Sequence, residues 1–384
     1  MKQEEEYAGF EVGPIRPPSE ANSLLLRLTR NCPWNKCKFC GLYKGEKFSI
    51  RPVDHVLRDI DVIKKYVDEL TGTFDRKGAT RHEVWRRFQA SPREDERMAF
   101  HFALSWLRSG MTSIFLQDAN SLVMKPDDLV AILQHILKTF PHVKRTTSYA
   151  RSNSIARIAD DDLGRISEAG LNRIHIGMES GCDAILDSVR KGAKKVTHIV
   201  AGQKVKGAGI ELSEYFMPGL GGEKYSQENA LETADAMNQI NPDFIRIRTL
   251  AIPDSIELFR DCRSGAFAKL GDVQTAEEIL LFLENLNGIT STVKSDHIVN
   301  LFHEAEGRLP DHKARMMAPI RKFLGMEPRE QTTYMIGRRT GIFTRLDDMK
   351  DPDLLQQAER VRDAHRITID NVEAFTAKIV KRFI

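Results

Sequence analysis

Short β-branched or leucine-rich runs alternate along the chain with longer stretches in which apolar residues recur every three or four positions. The short runs have the length of buried strands, and polar or glycine-containing turns bound each of them. They fall at residues 24–29, 113–118, 145–150, 173–178, 210–217 and 244–250. The longer stretches indicate helices, with Pro52 and Pro126 in first turns and Gly170 and Gly192 just past the ends. The pattern therefore predicts six strands joined largely by helices.

The spacing of the runs predicts how the strands are arranged. From the second run onward, successive runs start 28 to 37 residues apart, which is about one strand–helix unit. Such units form parallel sheets through right-handed crossovers, and six of them make an incomplete barrel. We therefore expect an α/β fold, a partial (βα)6 TIM-like barrel over residues 23–253 that follows an irregular arm at 1–22. We also expect an insertion at about 75–110 and a helical C-terminal domain at 254–384.

Composition and charge exclude several classes of protein. With 41% apolar and 29% charged residues, the chain has neither a disordered nor a collagen-like composition. Its 57 basic and 54 acidic residues give a net charge of +3, so no strong overall field attracts nucleic acid or an anionic membrane. No apolar run approaches the roughly 20 residues that cross a bilayer, and the first residues lack the features of a signal peptide. We predict a cytoplasmic protein that does not bind membranes.

Three of the five cysteines lie within nine residues and carry the strongest chemical signal. Cys32, Cys37 and Cys40 form a C-x4-C-x2-C spacing directly after the first predicted strand, at the edge where parallel α/β folds place their chemistry. Structural zinc would need a fourth ligand, and no Cys or His follows within 14 residues of Cys40. Disulfides are disfavoured in a reducing compartment. An iron–sulfur cluster on three thiolates, with one iron open to a small molecule, fits the spacing better.

The cysteine loop, its place after the first strand and the aromatic Phe39 before the last cysteine resemble the radical S-adenosylmethionine (radical SAM) superfamily. Residues 173–192, RIHIGMESGCDAILDSVRKG, are similar to the IGxESG pattern of that family. The resemblance extends over residues 24–253, although the commonest family spacing is C-x3-C-x2-C and this chain has one residue more. It implies a [4Fe-4S] cluster on the three cysteines, with S-adenosylmethionine (SAM) bound to the fourth iron.

The resemblance also implies an enzymatic activity. A reduced cluster would cleave SAM to methionine and a 5′-deoxyadenosyl radical, which would abstract a hydrogen atom from an unidentified substrate. Such an enzyme would be oxygen-sensitive and would need a low-potential electron donor of the flavodoxin or ferredoxin type. The barrel is also distantly similar to the oxygen-independent coproporphyrinogen oxidases.

Polar residues at the ends of the predicted strands are candidates for binding SAM. The family often has a turn that binds the methionine amino group at the position of Gln117, Asp118 and Asn120. A structural Asx turn at the end of the strand would account for the same residues. A glutamate after an apolar strand would be costly to bury unpaired, which favours a ligand-facing role for Glu179. The other candidates implied by the resemblance are Phe39, Ser148, Arg151, Ser180, Met217, Arg248 and Leu250.

Three further residues are weaker catalytic candidates. Cys182 could face the cavity as a thiol, although a small core residue is the simpler interpretation. Asp296 and His297 could close the active site from the C-terminal part. A helix cap explains Asp296 equally simply, and a histidine without a visible partner is a weak acid or base candidate.

Two other functions stay open at this point. The basic segment at residues 81–97 could bind RNA, which would make the protein a tRNA-modifying radical SAM enzyme. Acidic residues interrupt that segment, so a solvated helix face fits it better and nucleic acid is not favoured. Alternatively, the chain could carry a cluster or a tetrapyrrole without turnover.

Overall fold

The computed structural model describes residues 5–74, 86 and 93–380. The strands are β1 Leu24–Arg27, β2 Thr29–Arg30, β3 Ser49–Ile50, β4 Ser113–Gln117, β5 Arg145–Ala150, β6 Arg173–Glu179, β7 Glu211–Phe216, β8 Phe244–Ile247, β9 Thr292–Lys294 and β10 Gly307–Arg308. The α-helices are Val53–Phe74, Glu94–Arg108, Pro126–Thr139, Ser152–Ile155, Asp160–Glu168, Asp183–Ser188, Lys195–Gly207, Ser226–Ile240, Glu257–Arg263, Asp272–Asn285, Lys313–Leu324, Pro328–Thr340, Pro352–Ala364 and Val372–Val380. From β4 to β8, strands and helices alternate.

The predicted α/β fold with a parallel sheet is confirmed. The sheet order is β1-β4-β5-β6-β7-β8-β9-β10, and β9 with β10 forms an antiparallel pair at one edge. The neighbours β1 and β4, β4 and β5, β5 and β6, β7 and β8, and β8 and β9 are parallel. A mostly parallel sheet with helices in its connections is the topology of a partial TIM-like barrel.

The predicted strand positions agree with the structure to within about three residues at each end. One predicted strand is divided into two in the structure. The run at 24–29 divides at Leu28, whose backbone N–H donates to the carbonyl of Gln117 at 2.8 Å. Thr29 and Arg30 then turn away and pair antiparallel with β3. The sequence pattern did not predict β3, β9 or β10, because strands of two or three residues are too short to show a period of two.

The described residues fall into two compact units. The first is formed by the described residues within Met1–Asn35, Leu42–Ile176 and Lys204–Glu211, and the second by those within Lys36–Gly41, Gly177–Gln203 and Leu212–Ile384. Strand β6 begins in the first unit and ends in the second. The cysteine-rich segment is likewise divided, with Cys32 in the first unit. Cys37 and Cys40 belong to the second.

Each unit has its own apolar core. In the first, Phe115 of β4 is fully buried, and Trp106 meets Phe140 edge to face at 4.9 Å between ring centroids. In the second, Phe216 of β7 stacks on Phe282 at 4.1 Å. Each such buried side chain contributes about 1.5–3 kcal/mol to folding.

The predicted insertion can be followed only in part. Residues 75–85 and 87–92 lie outside the described residues, so most of the basic segment does too. The described part of the insertion holds the helix Glu94–Arg108. Among the described helices, none combines the length and the apolar character needed to span a bilayer.

Candidate functional site

Cys32 opens the cysteine-rich segment in the first unit. It follows β2 after Asn31, and both Asn31 and Asn35 adopt left-handed backbone conformations, at φ 68° and 46°, which asparagine tolerates better than most residues. The backbone N–H of Asn35 donates to Cys32 Sγ at 3.4 Å. The Arg151 guanidinium lies 5.4 Å from the ring centre of Trp34. The two asparagines thus set the turns of this part of the loop, and Arg151 packs against it.

Asp118 holds the start of this loop in place. Its carboxylate is fully buried and accepts two hydrogen bonds from Arg27, at 2.9 and 2.7 Å. It also accepts from the Tyr43 hydroxyl at 2.8 Å and from the Asn31 backbone N–H at 3.1 Å. Burial and the adjacent Asp118 charge raise the pKa of Tyr43. Asp118 therefore positions the residue that precedes Cys32.

Gln117 bonds to the N-terminal arm. Its Oε1 accepts from the Gly13 backbone N–H at 2.8 Å, and its Nε2 donates to the carbonyls of Gly13 and Ile15 at 3.2 and 2.6 Å. The arm is also fixed by Glu11, which accepts two hydrogen bonds from Arg30 at 2.8 and 3.0 Å. Both the oxygen and the nitrogen of the Gln117 side-chain amide therefore have hydrogen-bond partners within the protein.

The remaining candidates of the first unit lie after β4, in the case of Asn120, and in or just after β5, in the case of Ser148 and Arg151. Asn120 accepts from the Arg151 backbone N–H at 3.2 Å and donates to the Ser154 hydroxyl at 2.7 Å. Ser148 is buried, and its hydroxyl donates to the carbonyl of Tyr149 at 3.0 Å. The structure thus brings Asn120 and Arg151 together but gives Ser148 a local backbone partner.

The second unit holds the other two cysteines. Backbone hydrogen bonds hold Lys38, the first of the two residues between them. Lys38 N donates to the Val189 carbonyl at 2.9 Å, and the Lys38 carbonyl accepts from Leu258 N at 3.0 Å. Its side chain forms an ion pair with Asp261 at 2.8 Å. Phe39 packs against an apolar cluster formed by Cys182, Ile185, Val189, Leu220, Leu250, Ile256 and Leu258. Cys32, Cys37 and Cys40 form no disulfide.

A buried charged group lies in the same unit. Glu179 ends β6 in a left-handed conformation, at φ 69°, and its Oε1 lies 3.2 Å from Lys191 Nζ. The Lys191 ammonium is 5.6 Å from the ring centre of Phe39. Glu214 on β7 is 0% exposed, and its charged neighbours are Lys191 and Glu179. We call these three residues the Glu179–Lys191–Glu214 cluster.

Glu214 is the member of this cluster that the sequence pattern missed. Neither of its carboxyl oxygens has a side-chain hydrogen-bond partner in the structure, and a backbone group of Met178 lies close enough to favour the charged form. Burial raises the pKa of Glu214 well above its ordinary value, the Lys191 charge opposes that rise, and the Glu179 charge adds to it. A buried polar group without a partner costs free energy, and such groups occur preferentially at functional sites. A ligand that donates hydrogen bonds would remove this cost.

The glycine-rich loop after β7 is held by one buried carboxyl. Glu278 accepts from the Gly219 backbone N–H at 2.9 Å, from Asn229 Nδ2 at 2.7 Å and from the Ser226 hydroxyl at 2.5 Å. Burial raises the pKa of Glu278 to about 7. Met217, at the start of the loop, donates its N–H to the Glu179 carbonyl at 2.8 Å. The loop is thus tied to the end of β6.

The other candidate residues of the second unit do not share one contact network. Ser180 accepts from Cys182 N at 3.0 Å, and Cys182 is 7% exposed within the apolar cluster, which favours its interpretation as a core residue. Leu250 belongs to the same cluster and donates its N–H to the Pro218 carbonyl at 2.9 Å. Asp296 forms an ion pair with Arg246 at 2.9 Å.

The cysteine segment carries the type of ligand that the cluster implied by the resemblance needs. Three thiols outside disulfides on one short segment are the ligand set of an iron–sulfur cluster. In the part of the chain that the structure describes, no three Cys, His, Asp or Glu side chains are grouped so that they could hold a metal ion. The thiols match the cluster by ligand type and by sequence spacing, whereas the structure does not bring the three together at metal-binding distances.

Comparisons with known proteins give partial similarities. No protein-family model and no curated protein matches this chain. Its structure is similar to that of Elp3 from the archaeon Methanocaldococcus infernus, at TM-score 0.41 and 15% identity over 52% of this chain and 52% of that one.

Two further solved structures are named as enzymes of radical SAM chemistry. One is coproporphyrinogen III oxidase from Escherichia coli, at TM-score 0.44 and 12% identity over 69% of this chain and 52% of that one. The other is the cobalamin-dependent S-adenosylmethionine radical enzyme OxsB, at TM-score 0.45 and 12% identity over 94% of this chain and 54% of that one. The chain spans about half the length of these three proteins.

Proposed function

We propose that this protein is a radical SAM enzyme. Cys32, Cys37 and Cys40 would hold a [4Fe-4S] cluster, and SAM would bind the remaining iron. The observation that carries the proposal is the buried carboxyl of Glu214, which has no side-chain hydrogen-bond partner and lies beside Lys191 and Glu179. This cluster and the Phe39 segment between the cysteines belong to the same compact unit.

The chemical groups of SAM complement the Glu179–Lys191–Glu214 cluster. Glu214 and Glu179 present carboxyl oxygens that would accept hydrogen bonds from hydroxyl or ammonium groups, and Lys191 presents a cation that would pair with a carboxylate. Phe39 would offer an aromatic face to the adenine. The backbone near Leu250 and the loop at Met217 are the nearby candidates for its polar edge.

The remaining chemistry belongs to the cofactor. A cluster held by Cys32, Cys37 and Cys40 would supply the one-electron reduction that cleaves SAM to methionine and starts hydrogen abstraction from the substrate. The chain would contribute three thiolate ligands, orientation of SAM, and a buried setting from which water is excluded. A low-potential flavodoxin or ferredoxin would supply the electron.

The test is reductive cleavage of SAM by anaerobically reconstituted protein with dithionite as the electron source. We expect 5′-deoxyadenosine and methionine to form in equal amounts, and we expect none without reductant. Recovery of intact SAM from protein that holds the full cluster would instead favour a carrier without turnover. The RNA-binding alternative depends on a basic segment that lies largely outside the described residues, and no described contact favours it.

Replacing Glu214 with leucine should separate stability from function. Because leucine removes a buried carboxyl without a partner, we expect the free energy of unfolding of the cofactor-free protein to rise by about 1–3 kcal/mol. The same change should abolish SAM binding, measured by equilibrium dialysis of reconstituted protein. Asp59→Leu is the matched control, since the buried Asp59 carboxylate is paired with Arg51 at 2.6 Å and its loss should destabilise. A destabilised Glu214→Leu variant that binds SAM normally would contradict the assignment.

A further inference from the structure

A cavity lies in the second unit beside the helix Val372–Val380. Its volume is about 60 Å³, which is room for about four water molecules. Apolar side chains form part of its wall, among them those of Leu250, Ile252, Leu270 and Val299. It shares no residue with the Glu179–Lys191–Glu214 cluster. The cavity would therefore hold a small molecule, or one end of a larger one.

One buried hydroxyl in the wall of this cavity has no partner. Thr249 follows β8, lines the cavity and is 9% exposed. Its backbone N–H donates to Asn300 Oδ1 at 3.0 Å, which fixes the residue in place. Its hydroxyl is buried and forms no hydrogen bond with any described residue. Because a buried hydroxyl without a partner costs free energy, a ligand that bonds to it would remove this cost.

Asp272 and Arg339 compensate each other's charge in the wall. The Arg339 guanidinium donates from two of its nitrogens to the two carboxylate oxygens of Asp272, in the fork geometry of a strong ion pair. Its third nitrogen donates to the Val299 carbonyl at 2.6 Å. Both charged side chains are buried. This pair therefore adds no net charge to the cavity.

Glu373 presents a carboxyl group to the same cavity. Its Oε1 accepts from the Asp272 backbone N–H at 2.5 Å, at the start of the helix Asp272–Asn285, whose N-cap residue Gly271 has no side chain. Glu373 thus takes the place of a capping side chain. Its Oε2 forms no hydrogen bond with a described residue. The wall therefore holds a second acceptor without a donor.

The electrostatic surroundings of Glu373 favour a cation beside it. Burial, then the charge of Asp272, raises the pKa of Glu373, while the Asp272 N–H and the charges of Lys269 and Arg339 oppose the rise. Lys269 also lines the cavity, but it is exposed and forms no ion pair with a described residue. Solvent screens such an exposed charge. A cation bound inside the cavity would stabilise the ionised carboxylate more strongly than Lys269 does.

We propose that this cavity binds the ammonium group of a small organic amine. An ammonium group has three donors and can bond to the two acceptors that lack one, Glu373 Oε2 and the Thr249 hydroxyl. Its charge would pair with Glu373, and a short alkyl chain would contact the apolar part of the wall. The site is separate from the proposed SAM site and does not depend on the radical SAM assignment.

Other small ligands complement this wall less well. Glu373 would repel a carboxylate, and Arg339 is already paired with Asp272. An alcohol has a single donor and brings no charge to Glu373. The three classes of ligand are therefore distinguishable by affinity.

The test is nuclear magnetic resonance of anaerobically reconstituted protein with 13C-labelled threonine methyl groups, and n-propylammonium is the probe. We expect the probe to shift the methyl resonances of Thr249 and Thr376, which both line the cavity. Propionate and 1-propanol should bind at least about tenfold more weakly. Saturating SAM should leave the response to propylammonium unchanged.

Three variants complete the test. Glu373→Gln keeps an oxygen for the Asp272 N–H but loses the charge, so the affinity read at Thr376 should fall by at least about tenfold. Thr249→Val removes only the hydroxyl without a partner, so it should leave the free energy of unfolding no lower while the affinity falls about tenfold. Glu277→Gln is the matched control, because Glu277 is exposed on the helix Asp272–Asn285 and does not line the cavity. It should bind the probe like the natural protein.

Four results would overturn the proposal. They are no response in the natural protein, an equal response to propionate or 1-propanol, loss of the response when SAM is added, and unchanged affinity in Glu373→Gln or Thr249→Val. Cleavage of SAM is measured separately, so failure of either proposal is visible by itself.

Discussion

Replacing any one of Cys32, Cys37 and Cys40 with alanine should prevent assembly of the iron–sulfur cluster and abolish cleavage of SAM. A cluster with three protein ligands cannot keep its geometry on two, and even partners outside the ligand shell of a metal site are worth about 10–100-fold in activity or affinity. We therefore expect 5′-deoxyadenosine formation to fall by more than about 100-fold. Iron and sulfide content and the visible absorption of the cluster measure the first effect.

The two remaining cysteines provide the control. Cys182 lies in the apolar cluster and Cys262 is half-buried, and burial raises the pKa of Cys262. Cys182→Ala and Cys262→Ala should therefore retain iron, sulfide and SAM cleavage. If one of these two changes removed the cluster, or if Cys32→Ala retained it, the ligand assignment would be wrong.

The second large effect concerns the pH dependence of stability. Glu278 has a pKa of about 7 in the folded protein, above its ordinary value of 4.5, because it is buried. The folded protein therefore favours the protonated form of Glu278. The stabilisation that this form provides is complete below pH 4.5 and is lost as the pH rises to about 7. A shift of this size corresponds to about 3 kcal/mol. Chemical denaturation across this range measures it.

Glu278→Gln isolates this contribution. A glutamine can keep all three hydrogen bonds, since its oxygen can accept from Gly219 and Asn229 and its amide group can donate to Ser226, whose hydroxyl also accepts. At pH 8 the variant should be more stable than the natural protein, and at pH 4.5 the two should be similar. Glu278→Leu should be less stable at both pH values, because the N–H groups of Gly219 and Asn229 lose their acceptor. Parallel pH profiles for the natural protein and Glu278→Gln would contradict this account.

The strand positions could be predicted because each of these strands lies in a β-branched or leucine-rich run, or a run of alternating apolar residues, that is bounded by turns. The run at 145–150 coincides with β5, and the run at 173–178 differs from β6 by one residue. Burial of both faces of a parallel strand produces such runs directly. The edge strands β9 and β10 could not be recognised in the sequence, because strands of three and two residues are too short to show a pattern of apolar residues.

The partners of the candidate residues could not be predicted, because they come from distant parts of the chain. Gln117 bonds to Gly13, which is 104 positions away, and Asp118 bonds to Arg27, which is 91 positions away. Such contacts depend on the complete fold. The sequence identifies these residues as polar groups at a strand end, and the structure shows which of them the protein itself engages.

Glu214 was missed for a different reason. It stands in the run ELSEYF, where three of the first four letters are polar, so nothing marks it as buried. The structure shows that every residue from Leu212 to Phe216 is buried. A polar residue inside a predicted parallel strand is a usable signal, because parallel strands are covered on both faces.

The most direct test of the account is magnetic resonance of the reduced cluster with isotopically labelled SAM. In anaerobically purified protein, we predict an electron paramagnetic resonance signal of a reduced [4Fe-4S] cluster, with hyperfine coupling to a 15N label in the SAM amino group and a 17O label in its carboxylate. These couplings would show SAM bound at the iron that the three cysteines leave open. Tetrahedral zinc in place of iron, or a cluster with no coupling to labelled SAM, would contradict the assignment.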